Sequence, residues 1–199
     1  ALSSYGLTGF FLERPIALEA AFKILVLTSI AGFAVFVGAG LLYDKEGALN
    51  FAQLHDALRG GDSRVALVAL ALLIAGFGTK AGIAPFHAWL PDAHTPVPGG
   101  ISALFSGLMV DLGVVAIARL SLQVYGADSG HAMLGLITGL GITSALLGAI
   151  MALAQDDLKR LLAWDTVSQM GLLLTGFASA TAAGVGGAAF QLVSHGLFK

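Results

Sequence analysis

Residues 132–154 run without a single charged side chain, and the stretches 18–43, 101–120 and 161–177 are nearly as apolar. Runs of this kind decide the solvent first. The hydrocarbon core of a bilayer is about 30 Å thick and takes about 20 apolar residues of helix. Residues 65–79 form a shorter run that reaches spanning length only by continuing through Lys80 and Ala81 to Ala84, where Pro85 removes a backbone donor and breaks it. A last apolar run opens at Val185 and is still apolar at Phe198. The expected fold is all-α, a polytopic transmembrane bundle of about six spans plus a helix stump, with 1–199 as one transmembrane domain. Composition agrees: only 12 acidic and 10 basic residues occur in 199, or 11% charged, against roughly 25% in an average soluble domain. The 27 glycines suit helices that approach backbone to backbone in lipid.

Charge and cysteine usage exclude several functions. A net charge of −2 supplies no basic patch for nucleic acid. Without cysteine there is no thiolate nucleophile and no iron–sulfur ligation, and redox chemistry would need a bound organic cofactor. No cofactor or metal is expected. The chain opens on Ala1-Leu2-Ser3-Ser4 with no initiator Met and no charged n-region, so 1–12 reads as the tail of a preceding helix, not a signal peptide. The expectation is a fragment of a larger subunit, with its first span truncated at 1–12 and its last at 185–199. Between Asp44 and Arg64, Asn50-Phe51-Ala52-Gln53-Leu54-His55 reads as a short interfacial helix, and Arg59-Gly60-Gly61-Asp62 as a turn.

In lipid the informative residues are the ionisable ones inside spans. A Lys or Asp at a helix centre costs about 2.5 to 3.5 kcal/mol on insertion scales and needs a partner, a cavity or a function. Lys80 stands between Gly78 and Gly82 with Pro85 beyond, where a broken helix is expected; such breaks line hydrated cavities or are buried in protein. The competing view is that Lys80 snorkels to the surface. Asp111, near the middle of the next span, and Asp165, a turn into a later one, are candidate carboxylate partners for Lys80 or separate relay steps. The plainer alternative pairs them with a cation such as Arg160 or places them in a lateral polar seam. His195 and Lys199, spaced i, i+4, fall on one helix face, and histidine titrates near neutral pH.

Other polar groups point to structure. His87, Asp92 and His94 match no standard zinc spacing, and Pro91, Pro96 and Pro98 suggest a rigid extended loop. Asp165, Thr166, Ser168 and Gln169 are expected to supply interhelical hydrogen bonds or hold water, and Gly135, Gly139, Gly141 and Gly148 to be close-packing positions.

Three motifs then resemble the proton-antiporter-like membrane subunit family of respiratory complex I, Mrp-type cation/proton antiporters and the membrane arms of energy-converting hydrogenases. They are Gly78-Thr79-Lys80-Ala81-Gly82-Ile83-Ala84-Pro85-Phe86-His87-Ala88-Trp89-Leu90-Pro91-Asp92-Ala93-His94, then Leu158-Lys159-Arg160-Leu161-Leu162-Ala163-Trp164 continuing to Val167-Ser168-Gln169-Met170-Gly171, and His195-Gly196-Leu197-Phe198-Lys199. The resemblance implies a subunit of about fourteen helices with two inverted repeats of five, each with a broken helix, around a polar axis that moves protons or cations. It matches Lys80 to the family's broken-helix lysine, and His195 and Lys199 to the residues that link the half-channels. A glutamate that pairs with that lysine in the family would fall just before residue 1. Two departures stand out: Ser106 and Asp111 occupy a helix where many members carry Lys or His, and Trp164-Asp165 replaces a common Tyr-Ser. An acid in place of a base reverses the charge of a relay site. Residues 76–82 lean toward the hydrogenase-type members.

The function expected is proton or cation translocation by one subunit of a multisubunit respiratory or hydrogenase-type complex, with Lys80, Asp111, Asp165, His195 and Lys199 as the translocating groups and Gly78, Gly82 and Pro85 shaping the break. Expected partners are other membrane subunits, the lipid bilayer and protons or monovalent cations, in a multi-pass protein of a prokaryotic inner membrane. The rivals are an Mrp-type antiporter subunit and a non-conducting scaffold.

Overall fold

The computed structural model describes residues 2–11, 13–58, 64–125 and 131–199. The expected turn at 59–62 lies outside them. After a short helix α1 (Leu2–Thr8), α2 runs from Pro15 to Glu46. Pro15 starts it because the first turn needs no amide donor, and Gly47 ends it in the left-handed conformation (φ 67°), its N–H returning to the Tyr43 carbonyl at 2.8 Å. A short helix α3 (Phe51–Leu58) follows, with the Asn50 side chain accepting from the Ala52 amide as an N-cap. Next come α4 (Arg64–Ala81) and α5 (Trp89–His94).

Helix α6 is one rod with two irregular turns: Gly99–Leu104 is α-helical, Phe105–Met109 widens to a π turn, Val110–Arg119 is α-helical again, and Leu120–Tyr125 is π. Helix α7 (His131–Leu153), α8 (Leu158–Ala178) and α9 (Ala182–Phe198) complete the bundle, the last two capped by Asp157 and Thr181 side chains. Among the described residues, α2, α4, α6 and α7 are long and apolar enough to cross a membrane. The 21 residues of α8 carry the polar side chains of the interior, and α9 has 17 residues.

Helix α2 packs on α4, α4 on α6, α6 on α8, and α8 on α7, α9 and α5. The main core joins Ile24, Leu70, Trp89, Val114, Ile117, Met170 and Leu174. Phe33 and Phe36 on α2, and Leu146 and Ile150 on α7, face outward, as apolar side chains of membrane helices do.

The glycine expectation holds in part. A methyl group at Gly141 or Gly148 would meet α8 backbone at 2.9 and 2.5 Å, so these positions set the α7–α8 approach. Gly135 and Gly139 have open space instead, on a different face of α7. The approach nearest the end of α4 is Gly113 on α6, where a methyl would lie 2.5 Å from the Ala81 nitrogen and 2.8 Å from the Phe77 carbonyl. Backbone cannot swing aside, so Gly113→Val should cost about 1–3 kcal/mol by overpacking. Thermal melting of the purified complex checks this; a Gly113→Val protein melting at the wild-type temperature would contradict the packing.

Candidate functional site

The break after α4 is made by glycine before proline is reached. Gly82 takes φ 66°, its N–H bonds the Thr79 carbonyl at 3.1 Å, and the Ile83 N–H bonds the Gly78 carbonyl at 3.1 Å. This pair of bonds is a Schellman stop, which ends α4 at Ala81. The helix was expected to continue to Ala84 and be broken by Pro85; glycine's access to the left-handed region ends it three residues earlier. Two side chains from distant positions satisfy backbone near the break: Trp89 Nε1 donates to the Thr79 carbonyl at 2.6 Å, and Ser144 Oγ accepts from the Ala84 amide at 2.8 Å. Trp89 stands in the first motif without its bond being foreseen, and Ser144 is not marked in the sequence pattern. Trp89→Phe keeps an aromatic ring and removes one of the two donors to the Thr79 carbonyl, which should destabilise the protein by about 0.5–1.5 kcal/mol; unchanged melting would show that the bond contributes nothing.

Beyond the break the chain is not the extended loop that three prolines suggested. Residues 89–94 are helical, because Pro91 falls in the first turn, where its missing N–H costs no hydrogen bond.

Lys80 occupies the last turn of α4, where the negative end of the helix dipole favours a cation. Its side chain lines a cavity of about 150 Å³ with Ser4, Thr28, Gly76, Trp89 and Met109. No hydrogen bond or ion pair holds the ammonium among the described residues, so neither Asp111 nor Asp165 is its partner there.

The two acids are paired elsewhere. The carboxylate of Asp111 accepts from His195 Nδ1 at 3.1 Å, with the imidazole fully buried. Asp165 binds Lys199 Nζ at 2.7 Å, and the same ammonium donates to the Leu162 carbonyl at 3.0 Å. The i, i+4 face of α9 thus carries two cationic or titratable groups, each opposite an acid from another helix. Arg160, the cation named as an alternative partner, lies 3.7 Å from Asp92 instead. Asp92 also binds Lys23 at 2.8 Å, and Lys23 holds Glu19 at 2.7 Å, which ties α2, α5 and α8 together.

Hydroxyls fill the space between these pairs. Ser106, in the first π turn of α6, shares a 2.8 Å hydrogen bond with buried Thr166. Gly107, next to it, would place a methyl 3.3 Å from the Gly196 carbonyl, so this turn touches α9 directly beside His195. The extra residue of a π turn re-aims the helix face, and such turns recur at functional sites. In the short helix α5, buried His94 has its Nδ1 2.6 Å from Ser102 Oγ. Burial, with the charges of Lys199 and Lys159 near it, pushes His94 down to about 4, so it is neutral at physiological pH. Lys159 Nζ donates to the Val97 carbonyl at 2.7 Å. Ser168 donates to the Ala145 carbonyl and Gln191 to Gln169, which makes the hydroxyl and amide cluster of α8 an interhelical hydrogen-bonding seam, as expected.

Broken helix, cavity-facing lysine and buried acid–base pairs define an integral membrane protein of multi-pass helical type. The family is shown by comparison: a model described as NADH:quinone oxidoreductase/Mrp antiporter, TM, matches residues 1–199, and the chain belongs to this family. It is 39% identical over 196 residues to NADH-quinone oxidoreductase subunit N of Xanthomonas euvesicatoria pv. vesicatoria, covering 98% of this chain and 40% of the relative. It is 38% identical over 182 residues to hydrogenase-4 component B of Escherichia coli, covering 85% of this chain and 27% of the relative. The fold matches a chain of the archaeal membrane-bound sulfane sulfur reductase with a TM-score of 0.88 at 29% identity, covering 98% of this chain and 40% of that one. It matches a chain of the Mrp complex from Dietzia sp. with a TM-score of 0.87 at 28% identity, covering 98% and 36%. The chain therefore spans less than half the length of these relatives.

Proposed function

We propose that this chain carries the ion-translocating core of a subunit in a multisubunit respiratory or hydrogenase-type membrane complex of a prokaryotic inner membrane, and that the ion is a proton. The observation that carries this reading is Lys80, an ammonium with no hydrogen bond or ion pair among the described residues, at a broken helix end facing a cavity, while Asp111 is paired with His195 and Asp165 with Lys199. Proton transfer through such a lysine would be gated by a carboxylate that approaches and withdraws, because an opposite charge nearby favours the protonated form. His195 and Lys199, each opposed by an acid, are the next stations. The Nε2 of His195 has no hydrogen-bond partner among the described residues and is the atom free to exchange a proton. Asp111 and Asp165 hold the charge of these stations; Asp111 lies in the helix where many family members carry a base, and Asp165 stands where many carry a serine.

Moving one charge against 100 mV requires about 2.3 kcal/mol, which redox chemistry in partner subunits would supply. Likeness to the Mrp complex supports a second reading, cation/proton antiport, with the same groups driven by a cation gradient. The test is proton uptake by vesicles containing the whole complex with Lys80→Ala. Unchanged uptake at normal assembly would leave only the scaffold role. Dependence of uptake on a sodium gradient in place of an electron donor would favour antiport.

A further inference from the structure

A second cavity, of about 350 Å³, opens beside the first and differs from it in kind. Its walls are apolar, formed by Val35 and Ala39 of α2, Leu73 and Phe77 of α4, and Leu112 and Ala116 of α6, with Arg119 as the one charged residue. The volume falls in the range of sites that hold small molecules. Its direction follows from helix geometry. Val35 lies eleven residues before Glu46, the end of α2, or about 16 Å at 1.5 Å per residue. That is close to half the roughly 30 Å hydrocarbon core, the depth of one leaflet. Phe51, the first residue of amphipathic α3, and Arg119 stand at the mouth, and Val35 and Phe77 at the inner end.

Among the described residues, the cation at the mouth has unused donors. Arg119 lies over the Phe51 ring at 4.9 Å and its Nε donates to Gln123 Oε1 at 3.1 Å, while no carboxylate pairs with it among the described residues. The stacking and the Nε bond orient the guanidinium and leave its terminal nitrogens to bind an anion. An exposed guanidinium above an apolar slot one leaflet deep complements a molecule with a phosphate head and a hydrocarbon tail. We propose that this slot is a binding site for one membrane phospholipid, with its phosphodiester on Arg119 and an acyl tail between α2, α4 and α6. The inner end shares Val35 and Phe77 with the Lys80 cavity.

The experiment uses the whole complex in proteoliposomes containing phosphatidylglycerol with a photoreactive group in its tail, and maps labelled residues by mass spectrometry. Labelling is expected at Ala39, Leu112 and Ala116. Arg119→Gln should reduce it about tenfold, the loss of one charge-assisted phosphate contact. It should leave labelling by an uncharged photoreactive hydrocarbon unchanged. Ala116→Trp, which fills the slot, should abolish both, and Ala39→Leu serves if that variant does not assemble. Labelling at Phe36, on the outer face of α2, is the internal standard. Phospholipid labelling indifferent to Arg119 and to slot filling would overturn the proposal. So would crosslinks that join these residues to another segment of protein, or preferential labelling by an uncharged isoprenoid probe. The readout is labelling and not transport, so it stands or falls apart from the role of Lys80.

Discussion

Lys80→Ala is expected to lower proton uptake by vesicles carrying the whole complex on the order of 100-fold or more, the contribution typical of a positioned proton-transfer group. Assembly should be unaffected, since the ammonium makes no hydrogen bond or ion pair among the described residues and its removal relieves a charge at membrane depth. Lys80→Arg is the sharper variant. It retains the positive charge and much of the volume beside Thr28 and Trp89, but a guanidinium does not release its proton in proteins. If the cation were needed only for packing or for the field in the cavity, Arg would restore uptake. The expected result is that Arg is as inactive as Ala, and transport close to wild type in Lys80→Arg would remove the proton-release step from the mechanism.

The second large effect is expected at Asp111 and His195, in both stability and transport. Asp111→Leu leaves a fully buried imidazole without its Nδ1 acceptor, a loss of about 1–3 kcal/mol. His195→Leu strands the carboxylate of Asp111 and should cost about 3–5 kcal/mol if the pair is charged. The double variant replaces both partners by apolar groups in an apolar surround, so it should recover much of the lost stability, with a coupling energy of about 1 kcal/mol or more. Transport should not recover, because all three variants lack the Nε2 exchange atom or its orienting acid. Melting temperatures of the four complexes, measured together with uptake, check both halves. Additive stability losses would mean that the 3.1 Å contact is not an energetic pair, and transport rescued in the double variant would place His195 outside the path.

Much of the architecture was legible before any coordinate. Apolar length placed the helices at 15–46, 64–81, 99–125 and 131–153 to within a few residues, because a span is a local requirement met by each segment alone. Local rules also explain the Glu19–Lys23 pair, one helical turn apart, and the helix break near Lys80. Where two local signals competed, the result could not be read: Gly82 and Pro85 both stop a helix, and the helix ends at Ala81, just before Gly82. Pro91 misled for a related reason, since proline excludes the interior of a helix and not its first turn.

Pairing is a different kind of property. From the sequence, Asp111 and Asp165 were candidates for Lys80 on the ground that each is costly alone; in the fold they are held by His195 and Lys199, 84 and 34 positions away. Likewise the glycines of α7 are equivalent as residues, yet Gly141 and Gly148 meet α8 while Gly135 and Gly139 face open space. Sequence by itself determined the solvent, the helices and the small set of ionisable residues that lipid makes expensive. Tertiary structure alone decided which acid neutralises which base, and that Lys80 is left to the cavity. The physical reason is range: hydrophobic length and helix capping act along the chain, whereas a charge at low dielectric is satisfied by whatever group the packing brings within about 3 Å.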